Sequence, residues 1–280
     1  MITLTVQIRS IGSFLRPFLL HINAVLPFIY PMLHFFSGRV FRGLYHYYID
    51  WFKYRRAESL AQSEFPLRFQ NIFPCLLDRF ESAGTVARHY FWQDLWGARK
   101  VFQSGVKIHY DVGSRIDGFI AHCLTFCEIV MLDIRPLPFQ IKNLSFKQVN
   151  CLKMTEILNG SISSLSSLHA VEHFGLGRYG DPIDPLGHKK AIDEMKRIVA
   201  CGGTILFSVP IGIHRLEFNG HRIFDPLEIV RLFDGFTLIE FSAIDDEDQF
   251  HENVRIEDFR SLSYGCGLFE LRKEEVFHVV

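Results

Sequence analysis

The sequence predicts an α/β protein with a doubly wound, mostly parallel sheet and an N-terminal helical extension. Three observations carry this. Short apolar strands alternate with stretches whose apolar residues recur every three or four positions. The first two strands each run into an aspartate, Asp111 and then Asp133, 22 residues further on. Two Asp-Pro pairs, Asp184-Pro185 and Asp225-Pro226, carry the cap-plus-proline signal of a helix start. Strands joined through helices imply parallel pairing, and right-handed crossovers gather the strand C-terminal ends on one edge, where ligands bind.

The chain divides into an apolar and aromatic extension over 1–60, a helical connector over 61–100 and the α/β domain over 101–280. From Pro17 to Ser37 there is no Asp, Glu, Lys or Arg, a length sufficient for a bilayer, but Pro17, Pro27 and Pro31 interrupt any helix there. The following segment, Arg39 to Arg56, mixes Tyr, Phe and Trp with basic residues. Two readings stay open: membrane or interface contact through residues 14–56, and a helical cap packed on the domain. The corresponding localisation is cytoplasmic, with or without membrane association.

Within the domain a helix is expected over His89–Gln103, then a strand over Val106–Tyr110 ending at Asp111. Ile116, Phe119, Ile120, Cys123, Leu124 and Cys127 form a helix face. Glu128–Leu132 is the second buried strand, and Leu165–Val171 a further one. A helix capped at Asp184 carries Ala191, Ile192, Met195, Ile198 and Val199 and stops at Gly202-Gly203. Thr204–Val209, a helix over Leu227–Phe233, and strands over Phe236–Phe241 and Cys266–Leu271 complete the series.

Composition narrows the function. The 280 residues are 48% hydrophobic, enough for a sizeable core. Lys and Arg total 30 against 31 Asp and Glu, so the net charge is −1 and no nucleic-acid footprint exists. Six scattered cysteines form no CxxC pair, so no metal is expected, and nothing demands an oxidising compartment.

Three motifs carry chemistry. The stretch Asp111-Val-Gly-Ser-Arg-Ile-Asp-Gly118 puts a glycine directly after a strand, where backbone can approach a ligand. Asp133 at the end of the next strand suits the two hydroxyls of a ribose. Together they point to a nucleoside-containing cofactor. The dinucleotide pattern GxGxxG is absent, with Arg115 where a second glycine would be needed, so a cofactor without pyrophosphate fits better. The third motif places His169, Glu172 and His173 beyond a strand, ahead of a loop with Gly175, Gly177 and Gly180. These groups serve either acid–base chemistry or the hydrogen bonds that hold the loop. His221 and Arg222 face the cleft to bind an anionic or sugar substrate, or anchor a loop. Asp245 to Asp248 reads as a solvated loop.

The combination DVGSR, MLDIRP, SLHAVEHFGLGRYGDPIDP, EMKRIVACGGTILFSVPIG and HRIFDP resembles an uncharacterised branch of the class I S-adenosylmethionine-dependent methyltransferase-like superfamily, from about residue 65 onward. The resemblance implies a Rossmann-like fold, S-adenosylmethionine as cofactor and a small-molecule or glycan acceptor. It implies that Asp111, Gly113 and Ser114 line the methionyl end, that Asp133 holds the ribose, and that His169, Glu172 and His173 flank cofactor and acceptor. Asn150 stands where the superfamily often has an acid near the adenine, and its carbonyl oxygen suits the adenine amine. The altered glycine turn leaves an alternative, a catalytically inactive relative acting as a binding or membrane-associated interaction module.

Overall fold

The computed structural model describes residues 38–275 except 62–64, 82, 83, 85 and 87. The charge-free segment Pro17 to Ser37, and with it much of the membrane reading, lies outside the described residues. The chain forms two compact units, Met1–Thr85 and Val86–Val280.

In the first unit, helix α1 spans Gly38–Ala61 and presents Phe41, Tyr45, Tyr48 and Phe52 to the surface. Arg79 pairs with Asp50, and the Arg42 guanidinium lies 5.3 Å from the Phe80 ring centroid. Short 3-10 turns lie at Phe69–Asn71 and Asp78–Phe80. No helix of the described residues is long and apolar enough to cross a membrane.

The second unit is the Rossmann-like fold that the alternation predicts. Helix α2 (Arg88–Ser104) leads into strands β1 (Ile108–Val112), β2 (Glu128–Asp133), β3 (Leu144–Gln148) and β4 (Ile162–Leu168). Helix α3 (Gly187–Ile198) and strand β5 (Val199–Ile211) follow. A small hairpin, β6 (Arg215–Glu217) with β7 (His221–Ile223), precedes helix α4 (Pro226–Leu232). Strands β8 (Phe236–Ile244), β9 (Phe250–His251) and β10 (Gly265–Lys273) close the chain. The sheet order is β3-β2-β1-β4-β5-β10-β8-β9. Strands β3 to β5 run parallel, and β10 inserts antiparallel between β5 and β8. The order reverses between β1 and β4, which opens a crevice at their C-terminal ends.

Each face of the sheet has its own core. Trp96, Phe119, Ile120 and Leu268 pack under α2 on one side. Met195, Ile198, Phe207, Phe233 and Phe269 pack under α3 and α4 on the other. Each such side chain contributes roughly 1.5–3 kcal/mol on burial.

Several boundaries differ from the sequence reading. Strand β1 begins and ends two residues late, so Asp111 sits inside it rather than after it. The parallel ladder with β2 runs on through Val112 opposite Leu132, and Gly113 at φ +72° turns the chain. Strand β4 stops at Leu168, and Val171 belongs to a 3-10 turn, Val171–His173. The helix face from Ile116 opens as a π-helical turn, Ile116–Ile120, and ends after Ala121–Cys123.

Asp184 does not cap α3. Its carboxylate accepts from the Leu186 amide (2.9 Å) and pairs with Lys190, which builds a turn, and the helix starts at Gly187. Asp225 does cap α4, accepting from the Leu227 amide at 3.0 Å. Gly202 and Gly203 are not a helix stop but lie within β5, where a register shift against β4 takes up the extra residues. Strand β3 alternates apolar Leu144 and Phe146 with polar Ser145 and Lys147, but it is a five-residue edge strand with mostly exposed side chains, and the sequence reading passes over it. The loop Asp245 to Asp248 is not merely solvated. Asp245 accepts from the Glu247 and Gln249 amides, and Asp246 from those of Ser263 and Tyr264.

Candidate functional site

A cavity of about 570 Å³ opens at the crevice between β1 and β4. Residues 113–117 form one wall, 131–137 another, and His169, Ala170, His173, Phe174, Tyr179 and Asp181 a third. Asn150 and Leu152 follow β3, and Tyr90 comes from α2. The volume suits a cofactor-sized molecule.

The structure brings Gly113, Ser114, Asp133, Asn150, His169 and His173 together around this cavity. The turn at Gly113 disfavours a side chain, since φ is +72° and a Cβ there would press on that of Ala170 at 3.1 Å. Beneath it lies a buried polar chain. The Asp111 carboxylate accepts from the Ser114 amide (2.9 Å), the Ser114 hydroxyl (2.6 Å) and the Ser166 hydroxyl (2.5 Å). Since Ser166 donates to Asp111, it accepts from His109 Nε2 at 2.9 Å, and His109 Nδ1 accepts from Ser164 at 2.7 Å. Burial holds His109 neutral, its pKa lowered to about 3, and raises that of Asp111 to about 6 against the pull of its hydroxyl donors.

Asp111 therefore does not line the cavity, contrary to expectation. It is fully buried and spends its oxygens on shaping the turn. Ser114 lines the cavity, but its hydroxyl is committed inward, donating to Asp111 and accepting from the Leu168 amide at 3.1 Å.

Asp133 stands at the tip of β2, 6% exposed. Arg135 grips both its oxygens, Nε at 3.0 Å and a terminal nitrogen at 2.6 Å, and donates its amide to one of them as well. The same guanidinium lies 4.5 Å from the Tyr179 ring centroid. The Asn150 side-chain oxygen accepts from the Leu152 amide at 3.0 Å, so it closes a local turn beside the cavity. Arg115 pairs with Asp117 through two hydrogen bonds of 3.0 and 2.6 Å and lies over Tyr90.

Beyond β4 the polar groups are sparsely partnered. His169 has φ +52°, an uncommon conformation for a non-glycine residue, and its amide donates to Ser208. Burial lowers its pKa to about 3. The His173 Nδ1 lies 2.7 Å from the Gly220 carbonyl, which only accepts, so Nδ1 carries the proton and Nε2 the lone pair. Burial lowers its pKa to about 4. Nε2 is 3.5 Å from Glu172 Oε1. Glu172 is fully buried behind the cavity wall and lines no part of it, and neither carboxyl oxygen has a hydrogen-bond partner among the described residues. Desolvation lifts its pKa from 4.5 to about 8, so the group is protonated at neutral pH.

His221 and Arg222 do not face the cavity. Arg222 is 8% exposed and donates to the carbonyls of Glu172 (3.3 Å), Phe174 (2.7 Å) and Pro185 (3.4 Å), so it clamps the loop after β4. His221 packs against Tyr264 and sits 3.1 Å from Glu217. The loop itself holds Gly175, Gly177 and Gly180 all at positive φ. A side chain at Gly175 would collide with the Asp184 carbonyl.

Sequence reading missed Tyr90, Arg135, Tyr179 and Asp181. The only local signal was the Asp133-Ile-Arg135 spacing, which lets an arginine fold back on an acid two residues earlier.

The sequence profile described as "Caenorhabditis protein of unknown function, DUF268" matches residues 120–263, just over half of the chain. No curated protein matches. Among solved structures, the N-methyltransferase NodS from Bradyrhizobium japonicum WM9, in complex with S-adenosylhomocysteine, is 17% identical with a TM-score of 0.46, covering 66% of this chain and 87% of that one. The 1,6-didemethyltoxoflavin-N1-methyltransferase of Burkholderia thailandensis is 11% identical with a TM-score of 0.41, covering 70% and 94%. The YcgJ protein of Bacillus subtilis is 11% identical with a TM-score of 0.45, covering 65% and 99%.

Proposed function

The chain belongs to the DUF268 family, and on that premise we propose that it is an S-adenosylmethionine-dependent methyltransferase acting on a small molecule or glycan. The observation that carries the reading is one cavity with a side-chain-free turn, Gly113, at one end and an acid at a strand tip, Asp133, at the other. The turn leaves backbone open to the methionyl part, and Asp133 accepts from the ribose hydroxyls. Leu132, Phe146 and Leu152 supply apolar wall near Asn150 for the adenine.

S-adenosylmethionine supplies, when bound, a methyl group on a sulfonium that departs by in-line displacement. The protein's own part is then to position the acceptor and to take its proton. His173 is the base in this reading. The Gly220 carbonyl fixes its tautomer with the lone pair on Nε2, which lies 3.5 Å from Glu172 and is the atom that takes up a proton.

A second reading, a relative that binds no cofactor, draws on a specific observation: Arg135 already occupies Asp133. Calorimetric titration with S-adenosylhomocysteine separates the two. Saturable binding that Asp133→Ala weakens by about 1–3 kcal/mol, roughly 5–150-fold, supports the enzyme. No heat at millimolar ligand supports the inactive relative.

A further inference from the structure

A second cavity, also of about 570 Å³, lies behind His169 and is bounded by His89, Asp246, Asp248 and Tyr264. His89 from the first turn of α2, His169 from the end of β4 and Cys266 from β10 meet beside it. One donor atom of each lies within 4.8 Å of the others. The Cys266 sulfur is 3.8 Å from His169 Nδ1. We propose that His89, His169 and Cys266 bind one zinc ion, with a fourth coordination position open to this second cavity.

The donor chemistry fits. Two imidazoles and a thiolate are the ligand types zinc prefers, and three protein ligands with one open position mark a reactive rather than a closed structural site. Tetrahedral bonds of about 2.1 Å to nitrogen and about 2.3 Å to sulfur place donor atoms roughly 3.5 Å apart, so the triangle needs only a small closure. The lone pair of His169 Nδ1 is also available. The nearest hydroxyl, Ser208, donates instead to Gln93 at 2.6 Å, which leaves only the weak thiol donor of Cys266 facing that nitrogen.

The surroundings support the ring positions. The His89 ring stacks on Tyr264 at 5.4 Å and meets His169 edge-on at 5.9 Å. His169 is held in its uncommon backbone conformation by the two hydrogen bonds of its amide to Ser208. Asp248 lies 3.9 Å from His89 Nε2 at the edge of the second cavity, close enough to orient a metal-bound water. Binding releases one proton, from the Cys266 thiol as it becomes the thiolate ligand.

The inference goes beyond the methyltransferase reading, and its test involves no cofactor. Exposed Cys75 and Cys201 are first replaced by serine in the full chain, so that they cannot take up metal. The protein is stripped with chelator, titrated with zinc chloride, and its metal content measured by atomic emission. The expected result is about one zinc per chain, with Cys266→Ser and His89→Ala each lowering affinity by about a hundredfold or more, at or above the top of the roughly 10–100-fold range of outer-shell changes. Cobalt replacing zinc should give a sulfur-to-cobalt charge-transfer band that Cys266→Ser abolishes. If Cys266→Ser does not fold, judged by far-UV circular dichroism, His89→Ala carries the comparison. A chain that takes up no zinc, or binds it equally with His89 replaced, overturns the proposal.

Discussion

The two ends of the main cavity are built on opposite principles. At the β1 end every buried polar atom in the chain from Ser164 through His109 and Ser166 to Asp111 and Ser114 has a partner within 3.1 Å. At the β4 end Glu172 is equally buried and has none among the described residues. A satisfied buried network fixes geometry, whereas a buried acid without partners is costly and keeps its proton. The first end reads as scaffold for the glycine turn, and under the proposed methyltransferase reading the second is where the protein gives up stability for chemistry. Proteins keep such local conflicts mainly where function needs them.

Replacing Glu172 breaks this contrast most sharply. Its folded pKa of about 8 lies above the ordinary 4.5, so the unfolded chain releases the proton first. Stability is then full below about pH 4.5, declines as the pH rises, and levels off above about pH 8. The loss is on the order of 5 kcal/mol. Glu172→Gln should remove that slope and leave the protein more stable than the parent at pH 9, with little difference at pH 4. Urea denaturation at several pH values checks this, and parallel profiles for the two proteins would remove the neutral-acid assignment.

Asp111→Asn probes the satisfied end. One acceptor oxygen becomes a donor facing the Ser114 and Ser166 hydroxyls, which already donate. The expected cost is about 1–3 kcal/mol of stability, read from the denaturation midpoint at constant slope. A cost under about 0.5 kcal/mol would mean that the network does not hold the turn.

Arg135→Ala should produce the smallest effect. Half of the Arg135 side chain is exposed, so the pair with Asp133 is screened and contributes less than about 1 kcal/mol to folding. Its consequence should lie in binding instead. Freeing the Asp133 oxygens should tighten S-adenosylhomocysteine a fewfold, whereas a weaker titration would show that Arg135 itself belongs to the ligand's contacts.

The elements legible in sequence were those with strong periodicity or a local cap. Helix α4 announces itself through Asp225-Pro226, and α2 lies within a residue of its expected start and end. Strand β3 went unread because its alternation covers only five residues at a sheet edge, too short a run to stand out. Asp184-Pro185 misled because the same side chain that caps a helix also closes a turn. In the site, Gly113 and Asp133 were legible by their place after strands. The inward roles of Asp111 and Arg222 were not, since each depends on partners more than 35 residues away.

The sequence by itself determined the doubly wound sheet, the glycine turn and the acid at the next strand tip, because periodicity and strand-end placement are local properties of the chain. Tertiary structure alone decided which carboxyl groups reach the cavity and which stay buried, since partners and desolvation come from distant segments. It also decided that His89, His169 and Cys266 converge. Nothing in their spacing foretells it, because the sheet order, rather than the sequence, sets the distance between α2, β4 and β10.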